Sequence, residues 1–409
     1  MKKFLHLNEW LADEGERQRA FPVTLWQTYL AHANVAPLPA SSSEAMKAYL
    51  AQATQHGQLD LLHYEVDTET RGLLATLLDA RSDEIAFMPS ALAGLATVAA
   101  GLDWQAGDSV IIAENDLMAQ APVWQTLMRQ GVKVRLIPAR SDEAITIHDV
   151  AKQLERCTKL VILSTAHPQT GAPLDITEIG EFLRDRGVLF GVDATNTLGT
   201  SHLSTAPIDF LVADAHKWLL GPQGVAVLWV RRELAVQLRP AWLGQYAVPS
   251  AFASLAPNFI TSDSARRLEF GNMNVLGLVG LHTSLTMINE IGVLQIAARL
   301  SDLRRFLLAG LTSLNIEPLD DPFSDMPRAV TSIRLRERDA LSIVERLNEA
   351  SIIVSLSADH LDHHGKTCLI RLAPHFYNTF AELQRLLEML DRCDAAHQRR
   401  AVARHALLS

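Results

Sequence analysis

Residues 213–224 read ADAHKWLLGPQG, and the sequence on either side of this stretch is strongly apolar. The apolar runs 208–212 and 225–230 predict one strand entering the stretch and one strand leaving it. The turn between these strands holds a single lysine, Lys217, with a histidine and a tryptophan beside it and glycines after it. A lysine amine held among packed neighbours has a lowered pKa and can form a Schiff base with a carbonyl compound.

An acidic residue upstream completes a chemical pair with this lysine. Asp193 directly follows an apolar run at 188–192 that predicts a strand. A lysine that forms an imine and a carboxylate that keeps a pyridine nitrogen protonated are what pyridoxal phosphate (PLP) requires. We therefore interpret Lys217 as the Schiff-base lysine and the base for the α proton, and Asp193 as the partner of the ring nitrogen. The alternatives are a surface lysine and a turn or helix-cap aspartate.

Strands and helices alternate between residues 110 and 192. The pattern predicts strands at 110–113, 132–137, 160–163 and 188–192, and helices at 119–130, 147–156 and 177–186. This alternation with apolar strands predicts an α/β fold, with a parallel sheet covered by helices on both faces. Ligands bind at the carboxyl ends of such strands, where we place Ser90, His167, Asp193 and Lys217.

The two ends of the chain have other patterns. Residues 1–30 predict helix with apolar residues on one face, and 274–314 predict a long helix broken near Gly292. From residue 329 the order is strand, helix, strand, strand, helix, which predicts a smaller α+β unit.

Composition limits the possible functions. The chain has 409 residues, 48% hydrophobic, and 37 basic against 46 acidic residues give a net charge of −9. Without a basic stripe we expect neither a nucleic-acid nor a membrane partner. Three scattered cysteines, Cys157, Cys368 and Cys393, predict no disulfide framework and no metal site, and favour a reducing, cytoplasmic setting. We also expect no signal peptide and no apolar run of about 18 residues that would span a membrane.

Four stretches together resemble the class V aminotransferase family of fold-type I PLP enzymes. This family includes cysteine desulfurases, isopenicillin N epimerase-like proteins and kynureninases. The resemblance runs from about His32 to about Leu390. The four stretches are the lysine turn, VDATN at 192–196, RLEFGN at 267–272 and IRLAPHFYNT at 370–379.

The resemblance implies an architecture and an assembly. It implies a large domain with a mostly parallel seven-stranded sheet between helices, a smaller α+β C-terminal domain, and a homodimer with composite active sites. We expect three parts, namely an N-terminal helical segment that packs with the small domain (1–30), a large PLP-binding domain (31–265) and the small domain (266–409).

The cofactor's phosphate group needs hydrogen-bond donors. Ser90 and Ala91 open a predicted helix, whose free N–H groups and dipole favour an anion, although Ser90 could be only an N-cap. The resemblance adds His216 as a donor to the phosphate. It also places Asn272 where the family usually has a threonine that reaches the phosphate of the neighbouring subunit.

Besides Asn272, the sequence departs from the family pattern at three further places. Asp214 replaces a serine or threonine, and because its carboxylate would repel phosphate, we expect it to point away or to accept a backbone donor. Leu117 or Met118 stands where the family stacks a histidine or phenylalanine on the PLP ring, and both could equally be core residues. Asn196 stands where glutamine is common, near the PLP phenolate oxygen.

The candidate substrate residues lie near the C-terminus, with one more after a central strand. A guanidinium holds a carboxylate by two parallel hydrogen bonds, so Arg371 is the candidate for the substrate carboxylate; a structural salt bridge is the alternative. His375, just past it, is a second candidate that could instead be a packing residue. His167 is predicted to contact the cofactor or the substrate, or to be a core histidine.

These residues predict a PLP-dependent enzyme that acts on an amino acid or related amine. Cys368 lies within an apolar strand-like run, so no cysteine is placed to attack a substrate sulfur, and we favour aminotransferase-type chemistry over persulfide-forming desulfuration. C–S or β-elimination lyase and epimerase activities of the same family remain open. The alternative from another class is a non-catalytic PLP-fold binding protein. The histidines of 359–364 could form a metal patch, although a solvated loop is the simpler interpretation.

Overall fold

The structure is a computed structural model that describes residues 7–56, 62–138, 144–239, 262–319, 328–358 and 367–406, with residues 58, 242 and 247. Its helices are α1 (Leu7–Ala12), α2 (Glu14–Ala20), α3 (Ala40–His56), α4 (Leu62–Leu78), α5 (Ala91–Gly101), α6 (Glu114–Met128), α7 (Ile147–Gln153), α8 (Ile176–Arg184), α9 (Arg232–Gln237), α10 (Val275–Ile291), α11 (Val293–Ser313), α12 (Glu337–Glu349) and α13 (Phe380–Ala406). Its strands are β1 (Thr28–Leu30), β2 (Ile85–Met88), β3 (Ser109–Ala113), β4 (Lys133–Ile137), β5 (Thr158–Ser164), β6 (Leu189–Asp193), β7 (Phe210–Asp214), β8 (Ala226–Val230), β9 (Thr331–Arg336), β10 (Ile352–Ala358) and β11 (Thr367–Leu372).

Seven strands form the central sheet, in the order β2-β8-β7-β6-β5-β3-β4. All neighbours from β7 to β4 are parallel, whereas β8 is antiparallel to both β7 and β2. In β5, Val161 and Leu163 belong to one apolar core, and Leu160 and Ile162 belong to another. Since neighbouring side chains of a strand point to opposite faces, the sheet is buried on both faces. The predicted mostly parallel sheet between helices is confirmed.

Polar residues end three neighbouring strands of this sheet. Ser164 at the end of β5 pairs with Asp193 at the end of β6, and Asp193 pairs with Val212 of β7. Asp214 ends β7 two residues further on. The parallel register therefore brings one hydroxyl and two carboxylates to the same edge, where α/β sheets bind ligands.

The helix after β3 begins five residues earlier than the predicted 119–130. It starts at Glu114 and ends at Met128. Its first turn is held by a tertiary contact, because Asp116 accepts hydrogen bonds from the N–H (3.0 Å) and the hydroxyl (2.7 Å) of Ser164. No local pattern predicts this contact, since the partners are far apart in sequence.

The second sheet has four strands, in the order β1-β10-β11-β9, with β1 parallel to β10 and the other pairs antiparallel. The prediction of helix throughout 1–30 was therefore wrong at its end, where residues 28–30 add a strand. A 3₁₀ turn that starts at Pro22 separates this strand from α2, and Trp26 is 78% exposed instead of facing a core. The aromatic ring of Phe21 stacks on that of Tyr377, with 3.8 Å between centroids, and so ties this segment to the C-terminal sheet.

Two helices follow the irregular stretch after β8, and the predicted break between them is confirmed. Gly292 separates α10 from α11 with φ +86°, a backbone conformation that favours glycine. Helix α10 packs on α3 and α4, and its Ser284 hydroxyl donates to the carbonyl of Leu220 in the lysine turn (2.8 Å). This helix, which the predicted boundaries place in the small domain, thus supports the turn on the larger sheet.

Two searches cover the part of the chain that the structure describes. Within it, no helix is both long and apolar enough to cross a membrane. In the same residues, no three His, Cys, Asp or Glu side chains come together as metal ligands. The histidine-containing loop at 359–364 lies outside the described residues.

The close packing of Gly191 against Phe210 at the centre of the sheet leads to a prediction about stability. A Cβ atom added there would lie 2.1 Å from the ring of Phe210, which is fully buried. We expect Gly191→Ala to lower the free energy of unfolding by about 1–3 kcal/mol, the usual cost of overpacking, in a denaturant titration.

The matched control is Gly72→Ala in α4, where an added Cβ meets no atom within 4 Å. Alanine is the better helix former, so this variant should gain up to about 1 kcal/mol. Equal unfolding midpoints for Gly191→Ala and wild type would contradict the prediction.

Candidate active site

The turn between β7 and β8 is held by its own backbone and by burial. The N–H of Ala215 donates to the carbonyl of Val225 (3.1 Å), and the N–H of Gly221 donates to the carbonyl of Ala215 (2.9 Å). Three residues after the lysine are fully buried: Trp218, Leu219 and Leu220. Lys217 is only half buried, so its neighbours anchor its backbone while its side chain remains accessible.

One residue of this turn has a strained backbone. Leu220 has φ +53°, a conformation that a bulky side chain rarely adopts and that costs roughly 1–3 kcal/mol. Its carbonyl is held by the hydroxyl of Ser284, which also lies 2.8 Å from the hydroxyl of Ser42. Strain of this kind clusters at active sites, which fits the position of Leu220 three residues after Lys217.

The amine of Lys217 lies among charged and polar groups. Its Nζ donates to Oδ1 of Asn196 (3.2 Å). Burial lowers the pKa of Lys217, Asp193 opposes this shift, and the positive charge of Arg371 adds to it. The net lowering makes the neutral amine, which is the nucleophilic and basic form, easier to reach.

Asp193 lies at the end of β6, beside this amine. Its Oδ1 accepts from the N–H of Thr195 (2.9 Å). Burial raises the pKa of Asp193, while the hydrogen bonds from Thr195 and the charge of Lys217 oppose the rise. A carboxylate that has lost its water in this way is suited to a cationic partner such as a protonated ring nitrogen.

Helix α5 begins beside the lysine turn with Ser90 as its N-cap. The Ser90 hydroxyl accepts from the N–H of Ala93 (3.1 Å). The N–H of Ala91 donates to Oδ1 of Asp214 (2.9 Å). The expectation that Asp214 accepts a backbone donor is confirmed. Among the described residues, the N–H of Leu92 alone in this first turn has no partner.

His216 connects the lysine turn to the N-terminal loop. Its carbonyl accepts from the N–H of Ala36 (2.8 Å). Burial lowers the pKa of His216, while the charge of Asp214 raises it and that of Lys217 lowers it further. The imidazole is therefore mainly neutral near pH 7 and can donate one hydrogen bond.

Arg371 of β11 approaches Lys217 from the C-terminal sheet, and we call the space bordered by Lys217, Asp193 and Arg371 the hollow. Its Nη1 donates to the carbonyl of Pro168 (3.1 Å), and its Nη2 donates to Oδ1 of Asn34. Within the described residues no carboxylate lies within 4.0 Å of it, and its buried Nε has no partner. A guanidinium held by neutral oxygens and close enough to lower the pKa of Lys217 is suited to bind an anion beside the amine.

His167 is half buried and pairs with an asparagine of α6. Its Nδ1 accepts from the N–H groups of Gln169 (3.1 Å) and Thr170 (3.2 Å), so its Nε2 carries the proton. This Nε2 lies 2.5 Å from the amide of Asn115. We assign the amide oxygen as acceptor, since Oδ1 of Asn115 otherwise has no partner. His167 is thus an oriented N–H donor.

His375 lies beneath the site and is fully buried. Its Nδ1 accepts from the N–H of Phe376 (2.8 Å), and its Nε2 donates to the carbonyl of Trp218 (3.2 Å). With both nitrogens bonded to backbone, it supports the lysine turn. The structure does not bring it to the surface of the hollow.

Asn272 lies on an exposed turn after the buried Glu269. The carboxylate of Glu269 accepts from the N–H of Phe87 (2.7 Å) and forms a buried ion pair with Arg71 (2.6 Å). Gly271, with φ +64°, then turns the chain outward. Asn272 is therefore accessible to a second copy of the chain.

Two predicted contacts to the cofactor ring cannot be placed. Leu117 and Met118 belong to the second turn of α6, but their side chains lie outside the described part of the structure.

Tertiary contacts add three residues for which the sequence carried no motif signal: Asn34, Asn115 and Asp116. Asn34 belongs to a loop and binds Arg371 from 337 positions away. Asn115 orients His167. Burial raises the pKa of Asp116 to about 6, and the nearby charge of Asp193 adds to the rise.

The described cysteines do not face the lysine. Side chains alternate along β11, so Cys368 points to the face opposite Arg371, where it packs against the apolar core with Ile370 and Leu372. Cys393 is buried in α13, and Cys157 precedes β5 at the amino end of the sheet, opposite the strand ends that carry the site.

Comparison with known proteins identifies the family. A model described as Aminotransferase class-V matches residues 28–386. The chain belongs to the class-V aminotransferase family. Among its relatives, a probable cysteine desulfurase of Methanothermobacter thermautotrophicus is 27% identical over 390 residues, covering 91% of this chain and 96% of the relative. An uncharacterised aminotransferase of Bacillus subtilis is 26% identical over 377 residues, covering 91% and 95%.

Solved structures share the class-V fold. An apo cysteine desulfurase from Thermococcus onnurineus NA1 matches with a TM-score of 0.83 at 22% identity, covering 93% of this chain and 97% of that one. A cystine C–S lyase in complex with its product cysteine persulfide matches with a TM-score of 0.82 at 22% identity, covering 91% and 99%. The predicted resemblance and the fold-type I architecture are confirmed.

Pyridoxal phosphate is the cofactor of this family, and the described residues fit it. The site offers an amine of lowered pKa at Lys217, a desolvated carboxylate at Asp193 and a free N–H at the start of α5. Arg371 adds a buried Nε without a partner. The chain is a PLP-dependent enzyme of the transferase or lyase type.

The buried His375 predicts how stability depends on pH. Burial lowers its pKa to about 4, well below the value of about 6.5 in an unfolded chain. Its contribution is therefore complete above pH 6.5 and is lost as the pH falls towards 4 and below, by up to about 3 kcal/mol.

We expect His375→Gln to have a flatter dependence of unfolding free energy on pH between 6.5 and 4 than wild type. Denaturant titrations at several pH values measure both curves. The difference at pH 8 serves as the control, because it contains only the packing cost of the substitution. Parallel curves over the acid range would show that His375 does not titrate with unfolding.

Proposed function

We propose that this protein acts on the amino group of an α-amino acid, with Lys217 as the base that removes the α proton. The observation that carries the proposal is the position of the Arg371 guanidinium, which has no acidic partner in the described residues and acts electrostatically on the Lys217 amine. A carboxylate bound to Arg371 would place the neighbouring α carbon beside that amine.

The residues around Lys217 provide a partner for each group of the cofactor. Asp193 would pair with the ring nitrogen and Asn196 would donate to the phenolate oxygen. Ser90 and Ala91 at the start of α5, together with His216, would hold the phosphate. Asn272 would reach it from the partner subunit. Leu117 or Met118 would contact the ring face. When bound, PLP withdraws electrons from the α carbon of the substrate and so makes the α proton acidic.

The protein's own groups then divide the work. Arg371 holds the substrate carboxylate, and Asn34 with the Pro168 carbonyl keeps the guanidinium in place. Lys217 accepts the α proton and returns it on the same face, as its lowered pKa allows. Asp193 supplies the negative charge that stabilises the electron-poor ring.

Amino transfer is the reaction that needs the fewest groups, because a single base moves the proton. Desulfuration through an enzyme persulfide is less well supported, since the described cysteines do not face the amine. Epimerisation is less well supported as well, because it needs a second base on the opposite face of the substrate.

C–S lyase chemistry by β-elimination is the second candidate. His167 carries an N–H on Nε2 and is oriented by Asn115, so it could stabilise a departing thiolate by a hydrogen bond. Several relatives are named cysteine desulfurases, and these names support a sulfur-containing amino acid as the substrate of this protein.

The assembly and the compartment are parts of the proposal. The exposed turn that carries Asn272 suits a homodimer in which each copy completes the other's phosphate site. None of the three described cysteines forms a disulfide, which supports a reducing compartment, and we propose the cytoplasm.

The cofactor spectrum of the purified protein tests the proposal. We expect PLP to give a visible absorbance band with wild type that Lys217→Ala lacks, because the band requires the lysine amine. Adding amino acids one at a time should change this band. Ammonia release with a keto acid product would indicate elimination, whereas a keto acid without ammonia would indicate amino transfer.

Two outcomes would contradict it. Identical spectra of wild type and Lys217→Ala would show that Lys217 does not form the Schiff base with PLP. A lysine-dependent spectrum that no amino acid changes would favour the non-catalytic binding protein.

Arg371 and Asn34 predict a graded loss of substrate affinity. Arg371→Gln should lower kcat/KM for the best amino acid roughly 100-fold or more, because it removes a charged pair of hydrogen bonds. Asn34→Ala should raise KM about tenfold and leave kcat nearly unchanged, because it loosens the guanidinium only.

Steady-state kinetics measure both effects. The decarboxylated amine of the same substrate is the control, since it should react equally poorly with wild type and Arg371→Gln. An unchanged KM for the amino acid with Arg371→Gln would rule out Arg371 as the carboxylate site.

A further inference from the structure

The phosphate side of the site contains a negative charge of its own. Asp214 ends β7, and its Oδ1 accepts from the N–H of Ala91 (2.9 Å), while its own N–H donates to the hydroxyl of Thr195 (3.1 Å). The carboxylate therefore lies at the amino end of α5, the place that the proposed function assigns to the cofactor's phosphate group.

The donors at this helix end are few. The N–H of Ala93 is used by Ser90, and that of Ala91 by Asp214. In the described residues only the N–H of Leu92 remains, as noted above. The amino end of this 11-residue helix favours an anion, and Asp214 already supplies one.

The charges around Asp214 do not neutralise it. No described Lys, Arg or His nitrogen lies within 4.0 Å of its carboxylate. Lys217, His216 and Asp193 are near enough to interact with it electrostatically. His216 is mainly neutral, because burial lowers its pKa. The carboxylate of Asp193 adds to the negative charge around Asp214. The partner that Asp214 contacts directly is thus the helix end, whereas Lys217 attracts it from more than 4.0 Å away.

We propose that Asp214 competes with the phosphate group of PLP for the amino end of α5 and thereby sets how tightly the enzyme holds its cofactor. The proposal rests on the proposed function, which places PLP on Lys217. In the cofactor-free enzyme the carboxylate takes the place of the phosphate as the helix's anion. When the cofactor binds, the phosphate and the carboxylate share the helix end and repel each other.

Substitution of Asp214 tests this competition. Asp214→Asn keeps the shape and the amide oxygen that Ala91 needs, and Asp214→Ser supplies a hydroxyl donor. We expect both variants to bind PLP at least about tenfold more tightly than wild type, because a like charge near the phosphate is removed. Equilibrium dialysis of cofactor-free protein measures the dissociation constant.

Two controls separate repulsion from other effects. Pyridoxal, which lacks the phosphate, should bind the wild type and both variants equally. Asp175→Asn removes the charge of another helix-capping aspartate, at the start of α8, and should leave the PLP dissociation constant unchanged. Thermal unfolding of the cofactor-free proteins reports whether the variants fold.

The outcomes are distinct. Equal or weaker PLP binding by both variants, or an equal gain for pyridoxal, overturns the role of Asp214 while Lys217-dependent absorbance leaves the proposed function intact. If wild type and Lys217→Ala give the same spectrum, the proposed function and this inference fall together.

Discussion

The site depends on two opposite charges that are both kept from water at the ends of neighbouring parallel strands. Burial lowers the pKa of the Lys217 amine and raises that of the Asp193 carboxylate, so each group is moved towards its neutral form. The cost of this desolvation is borne by the rigid surroundings, which are an apolar core on both faces of the sheet and the fully buried side chains of Trp218, Leu219 and Leu220 in the lysine turn. A flexible loop could not hold the partly buried amine of Lys217 in this position.

The neutral partners of Arg371 matter for the same reason. If a carboxylate of the chain paired with this guanidinium, it would neutralise the positive charge, which could then no longer attract a substrate anion. Instead a backbone carbonyl and the Asn34 amide orient it and leave it free to attract an anion. Arg71 has the opposite arrangement, because it forms buried ion pairs with Asp67 and with Glu269, and the second pair anchors the turn that leads to Asn272.

The strained backbone at Leu220 and the carboxylate at the amino end of α5 are both unfavourable features that the surrounding structure tolerates. Leu220 is held by the Ser284 hydroxyl, and Asp214 is held by the N–H of Ala91. Both lie within a few residues of Lys217. Local cost next to a reactive group, compensated from elements distant in sequence, is a common property of active sites.

The sequence by itself determined the central sheet, the lysine turn and the position of Asp193 at the end of a strand, because strand periodicity and strand-end polar residues are local signals. It also predicted that Asp214 would either point away from the phosphate or accept a backbone donor, and the second alternative holds. Only the tertiary structure brought Asn34 to Arg371, oriented His167 with Asn115, turned residues 28–30 into a strand and buried His375 beneath the turn. Each of these depends on a contact between distant parts of the chain, and the energy of such a contact leaves no trace in the local pattern of residues.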